Sequence, residues 1–291
     1  MTTTDTTPHE QFLAVRPRLF GIAYRILGSA TEAEDVLQDV WIRWQAVDAS
    51  IVETPAAYLA TATTRAAINA ATSARARRET YIGPWLPEPV DTSADPALGA
   101  ERAEAIELAV LLLLERLSPL ERAAYVLREA FDYPYPVIAE ILQLNQPAVR
   151  QLVSRGRRHL AAERRVPVSP EEQRRLLEAF LRAAQGGDLE ALEQLFTEDV
   201  VSTSDGGGRN RLAARILVVG RTRVAKFVGA FSSHFWNGVS LRWTRANGRP
   251  AVVLAWNGVE STVLTVEATE DGITHLMWLM NPEKLGAVVT R

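Results

Sequence analysis

The hydrophobic pattern of the chain changes at a proline-containing break, VPVSP at positions 166–170. Before this break, apolar residues recur with the three- and four-residue spacing of amphipathic helices. After it come two short helical segments, at about 171–185 and 189–196, and then strand-like runs. The runs are RILVVG, VSLRWT, AVVLAWNG, STVLTVEAT and HLMWLM, divided by turn signals such as Asn247-Gly248 and Asp271-Gly272. The pattern predicts an all-α N-terminal part and a C-terminal α+β domain with an antiparallel sheet.

Length and composition narrow the class of protein. The 291 residues fit two or three domains of about 100–200 residues each. The absence of cysteine excludes disulfides, thiolate metal sites and a cysteine nucleophile. The N-terminal MTTTDTTPHE lacks the pattern of a signal peptide, and no apolar run approaches the roughly 18 residues of a membrane span. We expect a cytoplasmic protein, monomeric when free, without a cofactor or a metal ion.

Three helices are predicted between about Glu10 and Arg78. The first ends at Gly28, a residue typical of helix C-termini. Ser29, followed three residues later by Glu32, marks the start of the second helix, and Thr54-Pro55 marks the start of the third. Prolines then interrupt any helix in the linker TYIGPWLPEPVDTSADP, at 80–96. The apolar Trp85 and Leu86 in this linker predict that it docks on another part of the chain.

The segment at 135–160, YPVIAEILQLNQPAVRQLVSRGRRHL, has the pattern of a helix-turn-helix. Leu144 fills the turn, and Asn145 caps a second helix whose apolar face is Val149, Leu152, Val153 and Leu160. The outward positions carry amide and guanidinium groups, which read base edges and bind phosphates. These positions are Gln146, Arg150, Gln151, Ser154, Arg155, Arg157 and Arg158. A helical hairpin with a merely basic surface is the alternative.

Charge is segregated although the net charge is only −3. An acidic stretch contains Glu32, Glu34, Asp35 and Asp39, and basic stretches surround Arg75–Arg78 and Arg150–Arg165. Each run alone could be a solvated helix face. Together, one acidic and two basic segments predict separate protein and nucleic-acid contacts.

In its order of parts, the segment from about 10 to 165 resembles the extracytoplasmic function (ECF) group of bacterial sigma factors. DVLQDVWIRW, at 35–44, resembles the helix that binds the clamp helices of the RNA polymerase β′ subunit. The polymerase contacts implied by the resemblance are Asp35, Gln38, Asp39 and Trp41. The third helix would read the downstream (−10) promoter element through exposed side chains, and the helix-turn-helix the upstream (−35) element. The implied contacts on the third helix are Tyr58, Thr61, Thr64, Arg65, Asn69, Arg75, Arg77 and Arg78.

The C-terminal part resembles the SnoaL-like branch of the NTF2-like cone fold. The SigJ type of ECF factor carries such an extension, with three recurring signatures: a WLPEP-like linker, a DGGG[KR] loop and an NP[DE]KL ending. All three are present, at 85–89, 205–209 and 281–285. The resemblance implies a built-in regulator whose interdomain residues are Trp85, Leu86, Pro87, Asp205, Gly206, Gly207, Gly208, Arg209, Asn281, Pro282 and Lys284. The implied domains are 8–79 (region 2), 80–100 (linker), 101–165 (region 4) and 171–291 (SnoaL-like).

The glycine-rich SDGGGRNR at 204–211 is compatible with more than one role. It is no P-loop, because Lys followed by Ser or Thr does not come after its last glycine. Proton-transfer catalysis would require Asp205, His234 or His275, and these show no diagnostic spacing, so we predict no enzyme. A small-molecule ligand in the cone stays open, since Trp236, Trp243, Trp256 and Trp278 could line a pocket or form a core. The favoured role is an intramolecular contact, in which Asp205 and Arg209 face the sigma domains or the linker.

Overall fold

The computed structural model describes residues 7–48, 51–78, 80–90, 107–161, 165–286 and 288, without the side chains of 75–78. The chain divides into two compact units. Unit 1 draws on residues 1–79 and 110–164, and unit 2 on residues 80–109 and 165–291. Within the described residues, no helix is long and apolar enough to cross a lipid bilayer.

Unit 1 is all α, as predicted. Its described helices are α1 (Pro8–Leu27), α2 (Ala30–Gln45), α3 (Pro55–Arg78), α4 (Leu108–Leu114), α5 (Pro119–Glu129), α6 (Tyr135–Leu142) and α7 (Gln146–Ala161). Helix α1 starts at a capping box between Thr7 and Glu10 and ends at Gly28, which has a φ of 68°. Its buried face includes Leu19 and Ile22, and α2 contributes the fully buried Trp44.

The predicted turn of the helix-turn-helix has the expected local chemistry. Gln143 closes α6 in the left-handed conformation, with φ 54° and ψ 45°. The Leu144 amide then donates to the Ala139 carbonyl at 2.9 Å, and Asn145 caps α7 through the amide of Ala148 at 2.9 Å. On α7, Gly156 permits close packing, because a Cβ there would lie 3.0 Å from the Tyr125 ring.

Unit 2 has the predicted α+β composition. Its elements are α8 (Pro170–Gly186), α9 (Leu189–Leu195), β1 (Phe196–Asp205), β2 (Val218–Val219), α10 (Arg221–Ala230), α11 (Ser232–Phe235), β3 (Val239–Ala246), β4 (Arg249–Trp256), β5 (Val259–Thr269), β6 (Gly272–Leu279) and a 3₁₀ turn (Pro282–Lys284). One six-stranded sheet has the order β2-β1-β6-β5-β4-β3. Apolar side chains from α8, α10 and one face of the sheet form the core, with Phe180, Val224, Leu264 and Trp278 among them.

The sheet differs from the predicted antiparallel arrangement at one pair of strands. β1 runs parallel to β6, with Ser204 opposite Trp278 and Asp205 opposite Leu279. Strand β1 was not predicted, since TEDVVSTSD is rich in polar residues, and the predicted RILVVG strand is reduced to two residues. The parallel pairing places the end of β1 beside the end of β6. The DGGGR loop and the NPEKL ending therefore start next to each other.

Candidate functional site

Asp205 is the last residue of β1 and is fully buried. Its carboxylate accepts hydrogen bonds from the Leu86 amide at 2.8 Å, from the Gly207 amide at 3.2 Å and from the Tyr81 hydroxyl. It also forms an ion pair with Lys284, whose Nζ lies 2.6 Å from Oδ2. A buried carboxylate requires such compensation, because desolvation disfavours its charge. Asp205 thus connects the linker (Leu86) to the DGGGR loop (Gly207) and to the NPEKL ending (Lys284).

Lys284 completes the attachment from the C-terminal motif. Its ammonium donates to the Leu86 carbonyl at 2.6 Å and lies 4.2 Å from the centroid of the Trp85 ring and 5.1 Å from that of Tyr81. A cation over an aromatic face is stabilised by the ring quadrupole. The same side chain therefore neutralises Asp205 and fixes the linker backbone.

Tyr81 and Asn281 form the second layer of contacts. The Tyr81 hydroxyl accepts from Asn281 Nδ2 at 2.9 Å while it donates to Asp205. Burial and the neighbouring Asp205 raise the pKa of Tyr81 above its ordinary value, so the phenol remains a donor. Asn281 Oδ1 accepts from the Glu283 amide at 3.1 Å and so opens the 3₁₀ turn.

The glycines of the DGGGR loop allow these close approaches. Gly207 has a φ of +60°, and a Cβ there would lie 2.6 Å from the Asn281 side chain. Gly208 has a φ of +72°, and a Cβ there would lie 2.9 Å from Cβ of Ile82. Any larger residue would meet both backbone strain and a clash. We call the contacts that residues 81–90 make with 205–209, Asn247 and 281–284 the clasp.

The structure brings most of the predicted interdomain residues into the clasp. Leu86 and Pro87 are buried, whereas Pro282 is exposed at the start of the 3₁₀ turn, and Arg209 forms an exposed ion pair with Glu283 at 2.8 Å. Sequence reasoning missed Tyr81 and Ile82. It also missed the pairing of Val90 with Asn247, whose amide donates to the Val90 carbonyl at 2.9 Å and whose Oδ1 accepts from the Val90 amide at 3.0 Å. The only sequence signal near this contact was the Asn247-Gly248 turn, which predicted a turn but not its pairing with the linker.

The outward face of α7 is exposed, as the helix-turn-helix pattern requires. All seven predicted contact positions on α7 are exposed, and the four apolar positions are buried. Arg155 pairs with Glu121 at 2.9 Å and Arg157 with Glu129 at 2.8 Å, while Arg150 lies over the Tyr135 ring at 5.4 Å. Both arginines are about half exposed although their carboxylate partners are partly buried, so the guanidinium groups stay accessible to phosphate.

Helix α3 differs from its predicted exposure at one position. Thr64 is fully buried and its Oγ1 donates to the Ala60 carbonyl at 2.8 Å, so it cannot be an exposed contact. Tyr58 is 40% exposed and packs against Trp44, and Asn69 is exposed. Thr61 is partly buried. The side chains of Arg75, Arg77 and Arg78 lie outside the described part of the chain.

Arg65 contacts α6 within unit 1. Its guanidinium donates to the Ile141 carbonyl at 2.8 Å and to the Glu140 carbonyl at 3.0 Å. A second contact of the same kind joins Arg18 to the Phe131 carbonyl at 3.1 Å. Arginine donors therefore connect α3 to the helix-turn-helix, and α1 to the loop between α5 and α6, in this conformation.

The acidic face of α2 is accessible. Asp35, Gln38 and Asp39 are exposed, and Trp41 is half-buried against Phe12, with 5.0 Å between ring centroids. Ile42 on the same helix is 57% exposed. The helix thus presents carboxylates beside an apolar side chain, a combination suited to a protein partner.

A small cavity lies inside unit 2. Its volume is about 30 Å³, and its lining is Ser204, Leu212, Phe227, Val228, Phe231, Phe235, Trp236, Trp278 and Met280. Trp243 and Trp256 are partly buried and pack on the core instead. The predicted catalytic candidates are not brought together: His275 contacts Thr203 at 2.7 Å, His234 contacts Ser233 at 2.7 Å, and Asp205 is in the clasp. Among the described residues no group of three His, Asp or Glu side chains could hold a metal ion.

Comparisons with known proteins cover nearly the whole chain. Residues 12–77 match the family model of Sigma-70 region 2, and residues 107–160 that of Sigma-70, region 4. The chain is 33% identical over 288 residues to the ECF RNA polymerase sigma factor SigJ of Mycobacterium tuberculosis H37Rv, covering 94% of this chain and 92% of the relative. It is 30% identical over 278 residues to the probable ECF sigma factor SigI of the same species, with the same coverage. The crystal structure of M. tuberculosis SigJ superposes with a TM-score of 0.78 at 28% identity, covering 97% of this chain and 100% of that one.

Proposed function

The chain belongs to the ECF RNA polymerase sigma factors, and we propose that its SnoaL-like C-terminal domain regulates promoter-specific initiation in cis by holding the linker between the two sigma regions. In this proposal α2 binds core RNA polymerase, α3 contacts the downstream promoter element and α7 reads the upstream one. The observation that carries the regulatory part is the clasp, in which a buried carboxylate, a lysine and an asparagine of the C-terminal domain bind the linker.

The clasp changes how far the two sigma regions can separate. Positions 80–106 connect α3 to the region 4 segment, and a free chain of that length spans at most about 95 Å at about 3.5 Å per residue. When the clasp holds residues 81–90, the end-to-end distance of that segment is fixed, and positions 91–106 can add at most about 55 Å. A bound linker therefore restricts the separation of two modules that must reach two promoter elements.

The contacts within unit 1 support the same interpretation. Arg65 donates to two carbonyls of α6 in this conformation, so its guanidinium is not free for a phosphate. Promoter binding would exchange these neutral acceptors for charged ones, which form stronger hydrogen bonds. Release of the linker would favour that exchange by allowing the regions to separate.

The test is run-off transcription with core polymerase and a promoter selected by the holoenzyme from random DNA. We expect Gly207→Ala to change transcript yield, because its Cβ clashes with Asn281 and opens the clasp. Gly238→Ala is the matched control: Gly238 also has a positive φ, of +70°, but open space around it. A chain ending at Pro167 should deviate in the same direction as Gly207→Ala. Unchanged transcript yield and unchanged polymerase affinity in both altered chains would refute regulation by this domain.

A second function, binding of a small uncharged molecule by the C-terminal domain, is favoured by the cavity. Aromatic rings form most of its lining, and Ser204 contributes a hydroxyl-bearing side chain to it. A hydroxyl beside aromatic rings suits a ring-shaped ligand that carries one polar group. A volume of about 30 Å³ holds about two waters, so a ring-sized ligand must displace the exposed Leu212 or Phe231.

Phenol and benzoate are suitable probes of this cavity, because they share a ring and differ in charge. Trp236 and Trp278 line the cavity, so binding should change tryptophan fluorescence. We expect saturable binding of phenol, weakened by Ser204→Ala and by the cavity-filling Val228→Phe but not by Ser240→Ala on the exposed part of β3. Equal responses to phenol and benzoate, or no saturation, would exclude a site of this chemistry.

A further inference from the structure

A long stretch of the C-terminal domain lacks acidic residues. Between Asp205 and Glu260 there is no Asp or Glu, while nine Lys and Arg residues occur. The whole chain has a net charge of −3, so the remainder of the chain carries −12. The nine cations are Arg209, Arg211, Arg215, Arg221, Arg223, Lys226, Arg242, Arg245 and Arg249. None of the sigma-region assignments uses this stretch.

The structure separates these cations into two groups. Four form ion pairs with acids outside the stretch: Arg209 with Glu283, Arg221 with Glu198, Arg242 with Glu260 and Arg249 with Glu107. Arg245 also has an interaction partner. The other four have no ion-pair partner among the described residues and are exposed. They are Arg211, Arg215, Arg223 and Lys226, and we call them the basic surface.

Three of the four residues of the basic surface, Arg211, Arg223 and Lys226, belong to neighbouring elements of unit 2. Leu212, in the loop after β1, and Phe227, on α10, line the same cavity, so this loop lies beside α10. Arg211 adjoins Leu212, and Lys226 adjoins Phe227, with Arg223 one turn earlier on the exposed side of α10. Arg215 follows Arg211 in the same loop with no acid between them. Exposed cations without ion-pair partners in a net acidic protein indicate an anionic partner.

We propose that the basic surface binds the phosphate backbone of duplex DNA flanking the site that α7 reads. The position of the DNA rests on the proposed role of α7, whereas the phosphate chemistry does not. Only positions 162–164 separate the end of α7, at Ala161, from Arg165 of unit 2, and four residue steps span at most about 14 Å. DNA bound by α7 is therefore within reach of the domain that carries the basic surface.

The charge pattern favours nucleic acid over an acidic protein. Protein interfaces combine both signs of charge, whereas a phosphate backbone presents one charge per about 1.7 Å of duplex and rewards a surface without acids. Guanidinium groups, three of the four cations here, bind phosphate through two parallel hydrogen bonds. Exposed Ile216 and Leu217 beside Arg215 are compatible with either partner, so an acidic protein surface is an outcome for the test.

The experiment measures the salt dependence of holoenzyme binding to a labelled promoter fragment and to a duplex of mixed sequence. The test variant is the full chain with Arg211→Gln, Arg215→Gln and Arg223→Gln. The control carries Arg174→Gln, Arg175→Gln and Arg182→Gln, three exposed arginines of α8 with the same change in charge. Melting temperatures verify that both variants fold. On both DNAs we expect the test variant to lower the slope of log K against log salt by about 0.9 for each phosphate that the protein no longer neutralises, while the control keeps the slope.

The alternative outcomes are distinct. Weaker binding to core polymerase with an unchanged DNA slope would assign the basic surface to a protein partner and overturn the proposal. An unchanged slope and unchanged polymerase affinity would overturn it as well, as would an equal reduction of the slope in the control. Arg150→Ala on α7 tests the sigma assignment separately: if it leaves promoter selectivity intact, the role of α7 fails, whereas the slope on mixed-sequence DNA still tests the basic surface.

Discussion

At the scale of single residues, the pair Asp205–Lys284 determines the strength of the clasp. Asp205 is fully buried, so removal of the lysine would leave a charge in a low-dielectric site. We expect Lys284→Met to lower the free energy of unfolding of unit 2 by about 3–5 kcal/mol in urea titrations. Asp205→Asn in the same chain should recover part of this stability, because an amide costs less to bury.

Glu283→Gln is the control for that prediction. Glu283 belongs to the same motif, but its ion pair with Arg209 is exposed at both ends. Exposed pairs contribute about 0–1 kcal/mol, so this variant should unfold nearly as the parent chain does. Equal effects of Lys284→Met and Glu283→Gln would mean that the buried pair does not stabilise the clasp.

Glu267 on β5 gives unit 2 a pH-dependent stability. Burial, together with the nearby Glu107 and despite Arg249, raises the pKa of Glu267 from 4.5 to about 7. A raised carboxyl pKa gives stability that is complete below about pH 4.5 and is lost as the pH rises through 7. Glu267→Gln mimics the protonated form, so its melting temperature should match the parent at pH 5 and exceed it at pH 8.

The cross-strand neighbour of Glu267 does not disturb this comparison. His275 lies opposite Glu267, and burial lowers its pKa to about 4, so in the folded chain it is mainly neutral between pH 5 and 8. Its own contribution is the same in parent and variant and cancels in the difference. A constant difference in melting temperature across this range would contradict the assigned pKa of Glu267.

At the scale of elements, local sequence signals made the helices predictable, whereas one strand, β1, has no such signal. Gly28, Ser29 and Pro55 are helix-boundary residues whose signals act within a few positions, and the structure has boundaries there. Strand β1 has no comparable local signal: it is stabilised by parallel pairing with β6, which lies near the other end of the domain sequence. Pairing over that distance depends on the whole domain, which explains why TEDVVSTSD was not predicted as a strand.

The clasp likewise combines motifs that could be recognised in the sequence with contacts that only the folded domain creates. The motifs containing Trp85, Asp205 and Asn281 were recognisable as a set through their resemblance to a family. Their contacts depend on β1 and β6 ending side by side, so the sequence did not reveal that Asp205 is buried or that Tyr81 donates to it. The prediction of Thr64 as an exposed contact was wrong because its threonine-rich helix gives a weak amphipathic signal, and burial on α3 is set by packing with α1.

The crossing of α5 and α7 offers an element-scale prediction. A Cβ on Gly156 would already lie 3.0 Å from the Tyr125 ring, so a larger side chain would push the helices apart. We expect Gly156→Leu to lower the free energy of unfolding of unit 1 by about 1–3 kcal/mol, the usual cost of overpacking. Thermal unfolding measures this change. Ser154→Leu, exposed on the same helix, should have little effect on melting. If both substitutions are tolerated equally, the close crossing does not stabilise unit 1.

At the scale of the whole molecule, charge is concentrated on particular surfaces rather than spread evenly. Exposed carboxylates occur on α2, exposed arginines on α7, and the cations of the basic surface on the loop after β1 and on α10. The total is nevertheless −3. A polyanion approaching the free protein therefore meets attraction at some surfaces and repulsion at others. In the proposed complex, core polymerase would cover the exposed carboxylates of α2 and so remove one repulsive surface.

This distribution predicts that promoter recognition requires core polymerase. Affinity for DNA grows with the number of phosphates that a protein neutralises. A net acidic chain in which two of the four α7 arginines already pair with Glu121 and Glu129 therefore releases few counterions. We expect no footprint on a selected promoter from the isolated protein, and a footprint from the holoenzyme at the same concentration and salt. Glu121→Gln and Glu129→Gln together free the two arginines, so the isolated variant should bind mixed-sequence DNA more tightly than the parent, without gaining promoter selectivity. A selective footprint from the isolated parent chain would show that its own surface suffices, and would place this protein with ordinary DNA-binding regulators in its mode of recognition.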